Sequence, residues 1–257
     1  MAKGNFPTCL QITLAYEGGF SNDAHDPGGA TMWGIIQVEY DKYRRGKGEP
    51  TQTVRDISHD EMEEIYAANY WNPCQCEVWP QGNDLVVWDA AVNSGVTRSK
   101  QWAQNVLMTP AKAWLEMARI AQAQPDRTDF VKRFCAKRLS FLTALATWQF
   151  FGKGWGSRVA NVEARGVKMV AQQMNPGAVT VTLANEAARA GKRARGHATA
   201  TGGATGGSAA ATQAIDWTHP IEIVAIACLL ALAAYCGWYW WVHRQRAQAY
   251  AAVAMGG

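Results

Sequence analysis

The sequence predicts a mainly α-helical protein with a small β-hairpin lobe near its N-terminus and a transmembrane helix near its C-terminus. Three observations lead to this prediction. Apolar residues recur at helical spacing over most of residues 5–175. Glycine, asparagine, aspartate and proline are dense at 18–34, which favours tight turns between short strands. The stretch 223–242 has no charged residue, and as a helix it has the length needed to cross a hydrocarbon layer of roughly 30 Å.

The first predicted helix carries Phe6, Leu10 and Leu14 on one stripe, and Glu17 is the next position along it. The segment that follows, GGFSNDAHDPGGATMWGI, has a composition that cannot continue a helix. We therefore expect a hairpin-like lobe immediately after Glu17.

Further helices are predicted from their start signals and their periodicity. The pair Ser58 and Glu61 has the form of a capping box, which predicts a helix from about Ser58 to Trp71. Residues 85–95 favour a buried helix ending at a glycine, although a short apolar run also fits a strand. Helical spacing recurs over 110–147 and resumes after a glycine-rich interruption around Trp155.

The C-terminal third changes in composition. Residues 176–218 are small and basic and cannot bury enough apolar surface to fold alone, so they predict a flexible Gly/Ala/Thr-rich linker. A transmembrane helix at 220–242 follows, with tyrosines and tryptophans at its end, and then a short basic tail at 243–257. This pattern predicts anchoring in a host inner membrane or a virion membrane. The topology stays open, since the basic tail and the lack of a signal peptide give conflicting cues.

Composition also excludes several function classes. A net charge of +4 without interleaved basic and aromatic residues argues against a nucleic-acid partner. The six cysteines do not have the spacing of a zinc site, so we expect no metal and no cofactor.

Two carboxyl groups fit acid–base chemistry. Glu17 stands at the edge of an apolar helix face, where desolvation favours the protonated form that a general acid needs. Asp26 follows in a polar, glycine-rich turn that favours the ionised form. A glutamate at a helix end is more often a solvated residue, so the spacing alone does not identify an active site.

The string YEGGFSNDAHDPGGATMWGI, residues 16–35, resembles the signature of glycoside hydrolase family 108. The resemblance implies a lysozyme-like α+β catalytic domain over 5–95. It also implies N-acetylmuramidase activity on the β-1,4 bonds of peptidoglycan glycan strands, with Glu17 as the catalytic acid.

The same run is similar to the Glu, Asp, Thr order of phage-type lysozymes, although the interval from Asp26 to Thr31 is one residue shorter. We therefore interpret Asp26 as orienting or deprotonating a water that Thr31 helps to hold. A turn aspartate and a turn hydroxyl are the structural alternatives. His25 is a candidate sugar contact or an exposed turn residue.

Beyond the motif, 87–102 is similar to the end of the same catalytic domain. There Asp89 and Asn93 lie four apart on one helical face, as a cleft wall that binds substrate or as a buried polar pair. Residues 138–159 resemble a helical, predicted peptidoglycan-binding module, which we place at 96–175. In it Trp148 and Trp155 could stack on sugar rings or belong to the core.

The sequence thus predicts a membrane-tethered, endolysin-like peptidoglycan hydrolase of phage origin, with holin or virion membrane proteins as possible partners. Two alternatives remain open. A lytic transglycosylase would use the same glutamate and leave an anhydro sugar, and a non-catalytic wall-binding or virion membrane protein would keep only the fold.

Overall fold

The computed structural model describes residues 4–22, 29–211 and 220–256 of the 257-residue chain. One short hairpin and ten α-helices are found in these ranges. The elements run in the order α1 (Phe6–Leu14), β1 (Thr31–Met32), β2 (Ile35–Ile36), α2 (Gln37–Gly46), α3 (His59–Tyr66), α4 (Asn83–Ser94), α5 (Val96–Leu107), α6 (Trp114–Gln122), α7 (Arg127–Thr143), α8 (Trp148–Met174), α9 (Val179–Ala211) and α10 (Pro220–Ala254). The chain divides into two compact units, Met1–Phe141 and Leu142–Gly257.

The capping box at the start of α3 is confirmed. The hydroxyl of Ser58 accepts from the amide of Glu61 at 3.1 Å, and the Glu61 carboxylate accepts from the amide of Ser58 at 3.0 Å. These two bonds satisfy amides that have no partner inside the helix. The helix then continues as a π-helical segment, Ala67–Trp71, so the predicted helix over 58–71 is confirmed with one wider turn at its end.

The predicted hairpin is also confirmed. Strands β1 and β2 pair antiparallel, with Thr31 opposite Ile36, and Trp33 and Gly34 form the two-residue turn between them. Both turn residues have positive φ, 47° at Trp33 and 74° at Gly34, as a type I′ turn requires. A bridge between Ser21 and Thr31, with both N···O distances at 2.8 Å, ties the start of the lobe to the hairpin.

Trp88 of α4 is the centre of the first unit's core. Its fully buried ring contacts Phe6 and Trp71 at centroid distances of 5.6 and 5.7 Å, and it supports Tyr66 and Tyr70 at 5.8 and 6.2 Å. Edge-to-face aromatic contacts of this kind add to the free energy of apolar burial. The helix predicted at 85–95 is therefore confirmed. Through Trp88 it contacts Tyr66 at the end of α3 and Tyr70 in the π-helical segment.

Asp84 is a buried carboxyl group at the start of α4. It accepts from the Asn5 side-chain amide at 2.6 Å and from the backbone amides of Gly82 and Leu85, each at 2.7 Å. Burial raises the pKa of Asp84 to about 7, and these hydrogen bonds only partly oppose the shift. Neutral Asp84 is therefore the form that the fold favours.

The stability of the first unit should consequently depend on pH through Asp84. Because the pKa is higher in the folded chain than the ordinary value of 3.8, the free energy of unfolding falls as pH rises between about 4 and about 7. The loss is at most about 1.4 kcal/mol per pH unit. In Asp84→Asn this slope should disappear, as measured by urea unfolding across that window. The exposed Asp60→Asn is the control, and unfolding curves for Asp84→Asn that follow wild type at each pH would contradict the assignment.

In the second unit, glycines bring aromatic rings close to α8. A Cβ atom at Gly152 would collide with the Trp148 ring, and one at Gly156 would collide with the Trp241 ring. The predicted glycine interruption around Trp155 is therefore wrong, because α8 runs unbroken from Trp148 to Met174. The glycines serve close packing rather than a break in the helix.

A buried carboxylate joins α8 to α10. Glu163 is 3% exposed at its side chain and accepts from Nη2 of Arg246 at 2.6 Å and from the Tyr250 hydroxyl at 2.7 Å. Such a pair needs both partners, because removing one leaves a buried charge without compensation. Cys236, Val242 and Val253 of α10 are buried in the same unit.

These contacts bear on the predicted membrane anchor. In the parts of the chain that the structure describes, no helix has both the length and the apolar character to cross a membrane. The prediction of a transmembrane helix at 220–242, with membrane-anchored localisation and a lipid bilayer as partner, is therefore wrong. The aromatic and basic residues that predicted an interfacial belt and a basic tail are part of α10. There Trp241 and Arg246 pack against α8.

The region predicted as a flexible linker at 176–218 is also helical over most of its length. Helix α9 spans Val179–Ala211, and Leu183, Ala190 and Ala194 are buried. Small side chains allow close packing between helices. The same composition is also typical of flexible linkers, so composition alone does not distinguish the two. Residues 212–219 lie outside the described ranges.

Candidate active site

Glu17 lies just beyond the end of α1. The amide of Glu17 donates to the carbonyl of Leu14 at 3.1 Å, so the chain is still turning when it reaches the glutamate. Its side chain is half-buried. The helix stripe therefore delivers Glu17 to the edge of the core, where a carboxyl group is partly shielded from water.

The hairpin turn comes up against this carboxyl group. A Cβ atom added at Gly34 would lie 2.9 Å from Oε2 of Glu17 and 3.1 Å from the hydroxyl of Tyr66. The Tyr66 hydroxyl donates to the carbonyl of Trp33 at 2.7 Å, which ties α3 to the turn. Gly34 thus meets two requirements: a positive φ for the turn, and room for the Glu17 carboxyl group beside Tyr66.

A second carboxyl group, Glu39 in the first turn of α2, lies in the same lobe. Asn69 in the π-helical segment donates to it at 2.5 Å, and burial raises the pKa of Glu39. Burial also raises the pKa of the Tyr70 hydroxyl, and the negative charges of Glu39 and Glu17 raise it further. Tyr70 is therefore a protonated hydroxyl within the field of both carboxyl groups.

Of the residues proposed as partners of Glu17, Thr31 is described. Its hydroxyl donates to the carbonyl of Gly29 at 3.2 Å, and its backbone pairs with Ser21. The hydrogen bond to Gly29 fits the structural alternative of a turn hydroxyl. It also leaves the Thr31 oxygen able to accept a hydrogen bond from a water, as the proposed role requires. Asp26 and His25 lie outside the described residues, so their roles stay predictions.

Asp89 and Asn93 belong to a buried network in the first unit. Asp89 is fully buried, accepts from Nη1 of Arg138 at 2.6 Å and from the Thr13 hydroxyl at 3.1 Å, and Thr13 accepts from the Trp88 indole at 2.8 Å. Nη2 of Arg138 donates to Oδ1 of Asn93 at 3.1 Å. For Asp89 this geometry favours the buried polar role over the cleft wall, because a side chain without exposure cannot contact a polymer. Asn93 is half-buried, so its contact with a glycan stays a prediction.

Trp148 and Trp155 are both half-buried in the second unit, with ring centroids 6.3 Å apart. Trp148 also packs edge-to-face on Trp241 at 6.2 Å. Part of each ring therefore serves the core, and glycan stacking by either tryptophan stays a prediction.

Tyr66, Tyr70 and Glu39 are candidate site residues that the sequence does not indicate. Tyrosines at helical spacing are typical of the apolar face of a helix, and a glutamate in a charged amphipathic helix is typical of a solvated face. The spacing of Tyr66 and Tyr70 shows that they share a helical face, but it cannot show that Glu17 approaches that face. In the described part of the chain, no three His, Cys, Asp or Glu side chains are grouped to hold a metal ion.

Comparison with known proteins gives two findings. Residues 10–95 match the family model of Glycosyl hydrolase 108, a range that includes Glu17, the hairpin and the face of α3. The chain is also similar to SagA of Brucella abortus, with 29% identity over 64% of this chain and 95% of that one, and a TM-score of 0.54. No curated protein matches the chain.

Proposed function

We propose that the chain is an N-acetylmuramidase of glycosyl hydrolase family 108, with Glu17 as general acid. Residues 10–95 match the model of this family, whose members are glycosidases acting on peptidoglycan. The bond cleaved is the β-1,4 bond between N-acetylmuramic acid and N-acetylglucosamine. The observation that carries the proposal is the half-buried Glu17 carboxyl group, which lies against Gly34 of the hairpin turn inside the matched range.

In the proposed reaction, Glu17 donates its proton to the glycosidic oxygen as the bond from that oxygen to the sugar C1 breaks. A water molecule forms the new bond to C1 and gives up a proton. We assign the orientation and deprotonation of this water to Asp26, and its retention to the Thr31 hydroxyl. Tyr70, which lies within the field of the acid, is a hydroxyl donor for the sugar substituents.

The second candidate reaction is a lytic transglycosylation, in which the C6 hydroxyl of the muramic acid residue replaces water as the nucleophile. It needs the same acid but no aspartate to activate water. The turn around Glu17 supplies that acid equally well for both reactions, so the products decide between them.

Purified sacculi digested with the chain and analysed by mass spectrometry provide the test. We expect muropeptides with a reducing N-acetylmuramic acid end. A 1,6-anhydro end would replace hydrolysis by transglycosylation, and a reducing N-acetylglucosamine end would contradict the assigned bond. Sacculi incubated without the chain are the control for ends already present.

The part of the predicted module at 96–175 that lies in the second unit is proposed to contribute to wall binding. The half-buried indoles of Trp148 and Trp155 support this role, since aromatic rings with an exposed part can stack on sugars. Holin or virion membrane proteins as partners stay a prediction from the sequence.

A further inference from the structure

Trp33 occupies a backbone conformation that tryptophan rarely adopts. Its φ is 47°, in the left-handed region, at the first position of the two-residue hairpin turn. Type I′ turns favour asparagine, aspartate or glycine there, because a bulky side chain at positive φ is strained. The sequence therefore keeps a large aromatic residue where local conformational preference selects against one.

The backbone role of this position does not need an indole. Trp33 accepts the Tyr66 hydroxyl bond through its main-chain carbonyl, at 2.7 Å, and any residue would supply that carbonyl. The ring itself is half-buried, and it contacts the imidazole of His59 at a centroid distance of 4.6 Å. His59 is itself exposed, at the start of α3. Packing against an exposed side chain stabilises the fold only slightly, so it does not offset the strain of the positive φ at Trp33. Backbone strain of this kind is common at functional sites.

The Trp33 indole lies close to the candidate active site. Trp33 directly precedes Gly34, the residue that lies against the Glu17 carboxyl group and the Tyr66 hydroxyl. His59 and Tyr66 mark the first and last turns of α3, and Glu17 is reached near the Tyr66 end. The indole therefore lies against the start of α3, one residue before the glycine that contacts the acid.

We propose that Trp33 is a sugar-stacking residue of the glycan-binding groove, holding a pyranose ring next to the bond that Glu17 protonates, with His59 as a positioning residue behind the indole. This inference rests on the proposed function. A pyranose ring presents C–H groups on one face, which pack on an aromatic ring, while its hydroxyl and acetamido groups remain at the edge for hydrogen bonds. The ligand class is thus an N-acetylated amino sugar within a β-1,4-linked strand.

Binding can be measured apart from catalysis in a Glu17→Gln background. The probe is a tetrasaccharide of alternating N-acetylglucosamine and N-acetylmuramic acid, titrated by calorimetry. Adding Trp33→Asn should weaken affinity about tenfold, the scale of one aromatic stacking contact. Trp33→Tyr should retain most of the affinity, because it keeps a ring.

Thermal unfolding of Trp33→Asn separates stacking from a structural role. Asparagine suits the turn better, so its Tm should equal or exceed that of wild type. Equal tetrasaccharide affinity, or a lowered Tm showing that the indole is needed for packing, would overturn the proposal. Murein clearing by Glu17→Gln at the wild-type rate would instead overturn the proposed function, so the two failures are distinguishable.

Discussion

Replacing Glu17 by glutamine is expected to lower turnover on purified sacculi by about 10²- to 10⁴-fold, the range of a general acid's contribution. Glutamine keeps the size of the side chain and its place against Gly34, but it has no acidic proton to donate. Because the loss concerns proton transfer, the effect should fall on kcat rather than KM. Release of dye from labelled sacculi at several substrate concentrations measures both.

The matched control for this variant is Glu116→Gln, at an exposed glutamate of α6. It makes the same chemical change far along the chain from the motif, and it should leave turnover unchanged. If Glu17→Gln folded normally, judged by its Tm, and still cleared sacculi at the rate of this control, Glu17 could not be the acid.

The second large effect is expected on stability, from Arg138→Met. Arg138 and Asp89 have side-chain exposures of 1% and 0%, and removing the guanidinium leaves the carboxylate as a buried charge without its partner. The cost of breaking a buried pair in this way is about 3–5 kcal/mol. Urea unfolding of the chain should show it as a lower midpoint for the transition of the first unit.

Two further variants make this result specific to the pair. Arg133→Met removes a half-exposed arginine from the same helix and should change stability by well under about 1 kcal/mol. Asp89→Asn combined with Arg138→Met removes both charges and should recover part of the lost stability. An Arg138→Met variant as stable as Arg133→Met would show that the network around Asp89 contributes little to folding.

Local signals predicted much of the first unit. The Ser58 capping box and the glycine-rich turn segment act over a few residues, so the start of α3 and the hairpin could be read directly. The motif around Glu17 predicted it as the acid, and the family match over 10–95 confirms the resemblance on which that prediction rests. The contacts near Glu17 could not be predicted in this way, because Gly34 and Tyr66 come to this place only through the tertiary fold.

The C-terminal part was predicted less well, for a different physical reason. Hydropathy and composition measure how a segment behaves alone, whereas α9 and α10 are defined by what they pack against. Trp241 lies over Gly156, and Arg246 reaches the buried Glu163, so residues with the composition of an anchor or a linker become parts of a helical unit. Partners some 85 residues apart in sequence leave no periodic signal that a local reading could detect.

The crowding at Gly34 sets the mutational tolerance of the whole turn. Alanine at Gly34 would meet both a positive φ and the Glu17 carboxyl group, while Gly18 and Gly19 have no described atom within 4 Å of an added Cβ and no positive φ. In a saturation library selected for folded protein, positions 18 and 19 should accept small side chains, and position 34 should accept only glycine. We therefore expect folding to tolerate replacement of the two glycines next to the acid in sequence, whereas the glycine that contacts the acid lies seventeen residues further along the chain.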